Sequence, residues 1–354
     1  MQPIPSDIQA AYGLDPAASA GVVHIPSLIN RTFLVHGDLG AGPRKMILQA
    51  LHPVFAAHVH LDIEAVTQHL AARQVETPRL LRNRSGELWT IEAAAAEPRV
   101  WRALTYLDGV TVHRTRDMAQ LSSAAELLGR FHGALFDLEH SFVHVRPVHD
   151  TRRHLDKLEA ALRSERARSD PDAQALGAQV LRHAEQVRLD YSALARRAVH
   201  GDPKLSNVLF HADDPARARC MIDLDTMGVE YLAYELGDAL RSWGNCAGED
   251  TGSADFDPEA LRALIAGYTR SCPSALPRAE ILSAVDGLET VALELASRFA
   301  ADAILDCYFG WDASRFPSRR AHNLVRARGQ LALSSDVRSR KDLLCEIAAH
   351  ALSS

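Results

Sequence analysis

The sequence predicts an α+β fold in which a small antiparallel β-sheet comes first and a mainly helical region follows. Short apolar runs separated by turn residues fill the chain up to about residue 110. Longer segments with apolar side chains at helical spacing follow, and the clearest of them spans residues 117–138. With 354 residues, of which 47% are hydrophobic, the chain is long enough to form two lobes, each with its own core.

The first lobe is predicted from its apolar runs and the turns between them. Strands are expected at residues 22–25, 32–36, 45–50 and 101–107, a further hairpin at 78–81 and 88–91, and a helix at 61–73. The glycine-rich turn at 37–43 joins the second and third strands and lacks the Lys-Ser/Thr ending of a phosphate-binding loop, so we interpret it as a hairpin connection. The connection between the lobes is expected at 106–110, which gives domains 1–108 and 109–354.

The second lobe is predicted to be mainly helical. Helices are expected at residues 117–138, 151–167, 170–194, 258–271, 277–306, 322–333 and 341–352. In the helix at 277–306, three charged side chains recur four residues apart, namely Glu294, Arg298 and Asp302. This spacing alone predicts a solvent-exposed row of ion pairs on one helix face.

Composition and charge narrow the possible partners and the compartment. The net charge is −6 and no basic block is present, so nothing points to nucleic acid or to an anionic membrane surface. The five cysteines are dispersed and form no C-x-x-C motif, which is typical of reduced thiols in the cytosol. The sequence shows neither a signal peptide nor an apolar run of membrane-spanning length. We therefore expect a cytoplasmic protein that binds small molecules.

The stretch HGDPKLSN at residues 200–207, followed by MIDLD at 221–225, has the residue order of a kinase-type phosphoryl-transfer site. Asp202 has the place of the carboxylate that orients the attacking hydroxyl group. Asn207 and Asp223 offer the hard oxygen ligands that Mg²⁺ prefers. Lys204 is expected to contact the transferred phosphate as a point charge.

The flanking residues agree with this interpretation. Residues 208–210 and 220–222 are short apolar runs on either side of a turn at 211–215, which predicts a hairpin with Asn207 and Asp223 at one rim. The alternative is that the acids are solvated turn residues. The ordered set with this spacing is much more specific than a lone H-x-D, so the sequence predicts a kinase-type site that uses ATP and Mg²⁺. Asp238, in the segment YELGDALR, is expected to hold the catalytic loop by hydrogen bonds.

The nucleotide-binding residues are less clearly marked. The phosphate-covering loop falls on residues 26–31, which contain Asn30 but no glycine. Gln49 stands where a kinase has its third-strand lysine; it can form a hydrogen bond with a phosphate or sugar but brings no charge. Glu64, on the helix at 61–73, is either the partner of that strand or a solvated helix acid. The backbone at Tyr106–Leu107 is expected to face the adenine, unless this segment is a plain edge strand with a turn.

The segments VHGDPKLSNVLF, MIDLDTMG and YELGDALR resemble the aminoglycoside phosphotransferase and choline kinase superfamily. A narrower resemblance to bacterial N-acetylhexosamine 1-kinases draws on SLINRTFLV, MILQALH, PVHDTRRHLDKL, ELASRFAAD, CYF and HNLVRARGQL. Together these motifs span about residues 25–333.

This resemblance implies a two-lobed protein-kinase-like fold, with ATP and Mg²⁺ as cofactors. It implies transfer of the γ-phosphoryl group to the anomeric hydroxyl of N-acetylglucosamine or N-acetylgalactosamine. The implied base and metal ligands coincide with those that the spacing predicts. Three further positions match residues near the sugar in that group, namely Asn30, Arg298 and Tyr308.

Two alternatives remain open at this point. A kinase of the same fold could act on an aminoglycoside, an amino alcohol or another small hydroxyl compound. Arg31 and Arg298, if they face the acceptor, favour a neutral or anionic one. A nucleotide-binding pseudokinase is suggested by the glycine-free loop and the absent third-strand lysine, whereas the intact set Asp202, Asn207 and Asp223 opposes it.

Overall fold

The computed structural model describes residues 4–14, 22–25, 30–92, 98–143 and 149–353. The chain divides into two compact units. The first comprises Met1–Asp108, Leu138–Val145 and Ile222–Asp225; the second comprises Gly109–Asp137, Arg146–Met221 and Thr226–Ser354. The predicted phosphate-covering residues 26–29 lie outside the described residues.

The first unit is built on an antiparallel sheet. Its strands are β1 (Val23–Ile25), β2 (Arg31–Asp38), β3 (Pro43–Ala50), β4 (Leu80–Leu81), β5 (Thr90–Glu92) and β6 (Arg99–Thr105), and its helices are α1 (Ser6–Ala11) and α2 (Val59–Ala72). The strand order is β1-β2-β3-β6-β4, with β5 also paired to β6. Strand residues alternate between two faces, so the apolar face buries Phe33, Leu48 and Trp101 together with Ile8 of α1 and Tyr12, which directly follows α1. The opposite face carries the polar row described below.

The predicted hairpin at 78–81 and 88–91 is wrong. Strands β4 and β5 both pair with β6 instead of with each other, through Leu80↔Leu104 and Thr90↔Trp101. A turn does lie between them, because the Asn83 side chain accepts hydrogen bonds from the amides of Ser85 and Glu87, both at 2.9 Å. Alternating apolar residues show that a segment is a strand, but they do not identify its partner.

The second unit is mainly helical. Its helices are α3 (Met118–Leu135), α4 (Thr151–Leu162), α5 (Glu165–Arg168), α6 (Pro171–Ala184), α7 (Leu232–Gly244), α8 (Pro258–Thr269), α9 (Arg278–Leu282), α10 (Ala284–Leu305), α11 (Arg319–Ser339) and α12 (Lys341–Ala351). Helix α10 is central and packs against α4, α6, α7 and α11. It crosses α7 closely because both helices have glycine at the crossing; a Cβ on Gly287 would lie 1.6 Å from the Ala233 carbonyl oxygen.

The central position of α10 overturns the predicted row of exposed ion pairs. Glu294 and Asp302 are buried because neighbouring helices cover that face as well as the apolar one. The predicted helix at 170–194 is shorter than expected and ends at Ala184, and the one at 277–306 is divided into α9 and α10.

Short strands of the second unit frame the catalytic motif. They are β7 (Val110–Thr111), β8 (Arg196–Val199), β9 (Val208–Phe210), β10 (Ala218–Met221) and β11 (Gly228–Tyr231). Strand β9 pairs with β10 as predicted and also with β7, while β8 pairs with β11. The catalytic loop is therefore the connection between the end of β8 and the start of β9. The predicted α+β class, with an antiparallel sheet followed by a helical region, is confirmed.

Candidate active site

The catalytic loop is anchored by a buried carboxylate on α7. The amides of His200 and Gly201 donate to the two carboxylate oxygens of Glu235, at 3.0 and 2.9 Å. The His132 ring nitrogen Nε2 lies 3.1 Å from the same carboxylate. Burial alone would raise the pKa of Glu235, but the His132 hydrogen bond and the loop amides outweigh it and lower that pKa. Gly201 has a φ of 82°, a conformation that favours glycine at this turn.

The last turn of α7 holds the middle of the loop. The Leu205 amide donates to Ser242 Oγ at 3.1 Å, and Trp243 Nε1 donates to the Pro203 carbonyl at 2.9 Å. The expectation that Asp238 has this role is wrong. Asp238 accepts from Arg241 Nε at 2.7 Å, whereas Glu235, one turn earlier on the helix, holds the loop.

The Asp202 side chain is fixed by two residues of its own loop. Lys204 Nζ lies 2.5 Å from Asp202 Oδ2, and Asn207 Nδ2 donates to the same oxygen at 3.1 Å and to the Asp202 carbonyl at 2.9 Å. Burial would raise the pKa of Asp202, but the Lys204 ammonium outweighs it, so the pKa lies below its usual value. The side chain is 27% exposed. Asp202 is thus an ionised, oriented and accessible carboxylate.

The two predicted metal ligands belong to different units, Asn207 to the second and Asp223 to the first. Val208 pairs with Met221, so Asn207 immediately precedes the ladder and Asp223 follows it by two residues. The bonds of Asn207 Nδ2 to Asp202 orient the amide, whose Oδ1 is a hard oxygen donor. Asp223 is exposed and has a φ of 63°. Each side chain offers the kind of hard oxygen donor that a divalent cation such as Mg²⁺ prefers.

The first unit contains a buried polar network that the sequence analysis missed. Thr32, Gln49 and Arg102 are cross-strand neighbours in β2, β3 and β6. Gln49 Nε2 donates to Thr32 Oγ1 at 3.0 Å, and Arg102 Nε donates to Gln49 Oε1 at 2.9 Å. The Arg102 guanidinium then forms a two-pronged ion pair with Asp225, with NH2 2.8 Å from Oδ2.

Asn30 belongs to this same network. Its Nδ2 donates to Asp225 Oδ2 at 2.8 Å, and its Oδ1 accepts from the His52 amide at 2.9 Å. Burial would raise the pKa of Asp225, but Arg102 and Asn30 outweigh it and lower that pKa. The two acids of the MIDLD segment therefore differ, because Asp225 is buried and paired whereas Asp223 is exposed.

The other predicted nucleotide-binding residues also lie in the first unit. Glu64, on α2, accepts from Arg82 NH2 at 3.2 Å and from Gln68 Nε2 at 2.9 Å. The Tyr106 hydroxyl donates to Asp108 Oδ1 at 3.0 Å, directly after β6, and Leu107 lies between these two residues. Glu64 is thus paired with an arginine outside the third strand.

Arg298, predicted near the acceptor, lies beside a fully buried carboxylate of α10. Its NH1 is 3.7 Å from Glu294 Oε1, and its guanidinium carbon lies 5.5 Å from the centre of the Phe309 ring. Thr151 Oγ1 donates to Glu294 Oε2 at 2.8 Å, and His149 Nδ1 lies 3.2 Å from Oε1.

The charged groups around Glu294 stabilise one another's ionised forms. Burial would raise the pKa of Glu294, but His149 and Arg298 outweigh it and lower that pKa. Burial would lower the pKa of His149, but Glu294 outweighs it and raises that pKa. The His149 ring stacks on Tyr234 at 5.2 Å, next to the residue that anchors the catalytic loop.

Tyr308 is exposed, and its backbone is held by Asp302. The amides of Cys307, Tyr308 and Phe309 donate to the Asp302 carboxylate at 2.8–3.0 Å, and Asn323 Nδ2 donates to it at 2.9 Å. Asp302 therefore shapes the loop that follows α10 and carries Tyr308.

Comparison with known proteins assigns the family. A sequence profile described as the phosphotransferase enzyme family matches residues 22–281. The chain belongs to this phosphotransferase enzyme family. Its predicted place in the aminoglycoside phosphotransferase and choline kinase superfamily is confirmed, and it is a phosphotransferase with a hydroxyl acceptor.

The proteins to which this chain is similar differ in the acceptors that their names give. A homoserine kinase from Rhodopseudomonas palustris is 29% identical over 280 residues, which cover 78% of this chain and 76% of the relative. An amicoumacin kinase in complex with AMP-PNP and Ca²⁺ aligns with a TM-score of 0.64 and 14% identity, covering 92% of this chain and 91% of that one. A microcompartment-associated aminopropanol kinase also aligns with a TM-score of 0.64, with 17% identity, and the alignment covers 95% of this chain and 97% of that one. These two solved structures share the fold. In the part of this chain that the structure describes, no helix is long and apolar enough to cross a membrane.

Proposed function

We propose that this phosphotransferase is an ATP-dependent kinase of a small hydroxyl compound, with Asp202 as its catalytic base. The observation that carries the proposal is the Asp202 carboxylate, which is ionised, part-exposed and fixed by Lys204 and Asn207 on a loop anchored to α7. Asp202 accepts a hydrogen bond from the acceptor hydroxyl and takes its proton as the phosphoryl group is transferred. Lys204, which contacts Asp202, is the proposed source of the positive charge that offsets charge on the transferred phosphoryl group.

Asn207 and Asp223 are the proposed ligands of Mg²⁺. Held by these residues together with ATP, the ion would supply positive charge that offsets the negative charge of the phosphates. The residues themselves supply hard oxygen donors, and the hydrogen bonds between Asn207 and Asp202 couple the ligand to the base.

Domain 1–108 is the proposed nucleotide-covering part, and domain 109–354 carries the catalytic loop. Glu64, Tyr106 and Leu107 remain proposed nucleotide-binding residues. For Gln49 and Asn30, the network to Arg102 and Asp225 supports an indirect contribution through residues 221–225, the proposed metal loop. We further propose a cytoplasmic location; its support is that none of the five cysteines, all within the described residues, forms a disulfide.

The proposed acceptor is an N-acetylhexosamine, phosphorylated at its anomeric hydroxyl. Its support is the match of Arg298 and Tyr308 to acceptor-contacting positions of N-acetylhexosamine 1-kinases. Asn30 also matches such a position, but its side chain is buried and bonded to Asp225 and to the His52 amide, so it does not support a direct contact with the acceptor. The charges around Arg298 also favour a neutral or anionic acceptor, because Glu294 is already compensated by both Arg298 and His149. A cationic acceptor needs an uncompensated carboxylate.

A second candidate acceptor is a hydroxy amino acid or amino alcohol. The observation that favours it is the 29% identity to a homoserine kinase over 78% of this chain. An amino group on the acceptor would then have to be recognised by carboxylates other than Glu294.

ADP release, coupled to a dehydrogenase readout, tests these proposals with a panel of N-acetylglucosamine, N-acetylgalactosamine, homoserine, aminopropanol, choline and an aminoglycoside. The proposal predicts turnover with an N-acetylhexosamine and a product whose ³¹P signal couples to the anomeric proton. Turnover with homoserine or aminopropanol alone supports the second candidate. Nucleotide binding without turnover on any acceptor contradicts the kinase proposal and indicates a pseudokinase.

Arg298→Gln gives an independent test of the acceptor site. We expect a roughly tenfold rise in KM for the acceptor, as for the loss of one charge-assisted hydrogen bond, with little change in KM for ATP. Arg262→Gln is the matched control, because Arg262 pairs with Glu259 on the exposed face of α8. An unchanged acceptor KM in Arg298→Gln contradicts the assignment of this residue.

A further inference from the structure

The segment that carries Asp223 is held from one side by a single arginine of the sheet. Arg102 is 2% exposed and Asp225 is 1% exposed, and both prongs of the guanidinium contact the carboxylate. A two-pronged contact fixes the direction of both groups, which one ammonium contact does not do. Asp225 therefore has one well-defined orientation.

The guanidinium is itself oriented by the row across the sheet. Arg102 Nε donates to Gln49, and Gln49 donates to Thr32. Residues on three adjacent strands therefore determine the orientation of the Arg102 guanidinium group. A kinase has a lysine at the position of Gln49, paired with a glutamate of the following helix. Here Glu64 pairs with Arg82 instead, and the charge of the sheet comes from the neighbouring strand.

Asp225, which Arg102 holds, lies two residues after the exposed Asp223. Asp223 has a φ of 63°, a left-handed conformation that an aspartate adopts at some energetic cost and keeps when its surroundings impose it. Strand β10 fixes the chain before it up to Met221, and Asp225 fixes the chain after it. Asn30 adds a second anchor on the same Asp225 oxygen.

We propose that Arg102 is the positioning residue of the metal loop: by holding Asp225 it sets the backbone conformation in which Asp223 presents its carboxylate to a nucleotide-bound divalent cation. This inference rests on the proposed function, because it requires Asp223 to be a metal ligand. It assigns the buried acid of the MIDLD segment to positioning and the exposed acid to ligation. It also explains how the site dispenses with a lysine at position 49.

The test measures Mn²⁺ binding in the presence of AMP-PNP, by the electron paramagnetic resonance signal of free Mn²⁺. Arg102→Gln leaves a buried carboxylate unpaired and is strongly destabilising, so the decisive variant is the neutral pair Arg102→Gln/Asp225→Asn. We expect its Kd for Mn²⁺ to rise about tenfold, as when an orienting partner of a metal ligand is removed.

Arg84→Gln is the control for loss of an arginine contact in the same unit. Arg84 Nε donates to the Asp38 carbonyl, and Asp38 lies six residues along β2 from Thr32, roughly 20 Å away. Its Mn²⁺ affinity should equal that of the wild type. A double variant that is folded by circular dichroism and binds Mn²⁺ within twofold of the wild type overturns the inference. Wild-type protein that binds AMP-PNP but no Mn²⁺ overturns the proposed metal ligands as well, and so separates the two failures.

Discussion

Replacing Glu235 with glutamine tests whether this residue supports the catalytic loop. The carboxylate is buried and accepts from two loop amides while also pairing with His132. The amide of glutamine turns one acceptor into a donor facing an N–H group and removes the carboxylate beside the His132 ring. Hydrogen bonds to a charged group contribute about 1.5–3 kcal/mol each, so weakening two of them costs about 3–5 kcal/mol.

This cost translates into a measurable change in melting temperature. At roughly 2.1 cal/mol/K of unfolding entropy per residue, a chain of 354 residues has about 0.7 kcal/mol/K, so we expect Tm to fall by about 4–7 °C. The loop that carries Asp202 should also shift, and a misplacement of about 1 Å lowers kcat roughly 100-fold. Differential scanning calorimetry and steady-state rates at 25 °C measure the two effects.

The matched control for this substitution is Glu259→Gln. Glu259 pairs with Arg262 at 3.1 Å on the exposed face of α8, where an ion pair contributes less than about 1 kcal/mol. Its Tm should change by less than about 1.5 °C, with kcat unchanged. If Glu235→Gln keeps both the wild-type Tm and the wild-type kcat, then Glu235 does not support the loop in the way described.

Three further substitutions test other parts of the account. Burial and the nearby Arg102 lower the pKa of His60 to about 4. The stabilisation due to the neutral ring is therefore complete above pH 6.5 and is lost as the pH falls toward 4. Between pH 8 and pH 5, the unfolding free energy measured by urea denaturation should fall by about 2 kcal/mol in the wild type but not in His60→Phe. Gly287→Ala should lower Tm sharply or prevent folding, because a Cβ there meets the Ala233 backbone, whereas Gly310→Ala, with no neighbour within 4 Å, should melt like the wild type. Asp302→Ala frees the loop amides that carry Tyr308, so KM for the acceptor should rise roughly tenfold while KM for ATP stays constant, and equal changes in both would contradict the proposed acceptor loop.

The sequence predicts the local parts of this molecule well because local chemistry determines them. Hydrogen bonds within the eight residues of the H-x-D-x-K-x-x-N loop bring Asp202, Lys204 and Asn207 together, while α7 anchors the loop as a whole. The strands β2, β3 and β6 and the helix α3 follow from apolar periodicity in the same way.

Tertiary pairings explain what the sequence did not reveal. Glu235 and Asp238 are both acids on one helix, and only the rotation of α7 against the loop decides which of them accepts the amides. Glu294 looks like a surface acid by its spacing, yet α4 covers it with Thr151. Arg102 is 123 residues from Asp225, so no local pattern joins them.

The residues of strand β6 are the sequence feature that best indicates the buried pair of Arg102 and Asp225. An arginine in the middle of the apolar strand β6 needs a buried partner, and the strand-three glutamine beside it is polar as well. Two polar residues in register on one face of a sheet indicate a network there, although not its far end.

The central claim is that Asp202 is the base of an ATP-dependent kinase, and Asp202→Asn tests it most directly. Asparagine preserves the shape of the side chain but removes the carboxylate that receives the proton. Single-turnover phosphoryl transfer from γ-³²P-labelled ATP to the preferred acceptor should slow by roughly 10²–10⁴-fold, with nucleotide affinity unchanged. A rate constant for Asp202→Asn within a factor of three of the wild type would contradict the account.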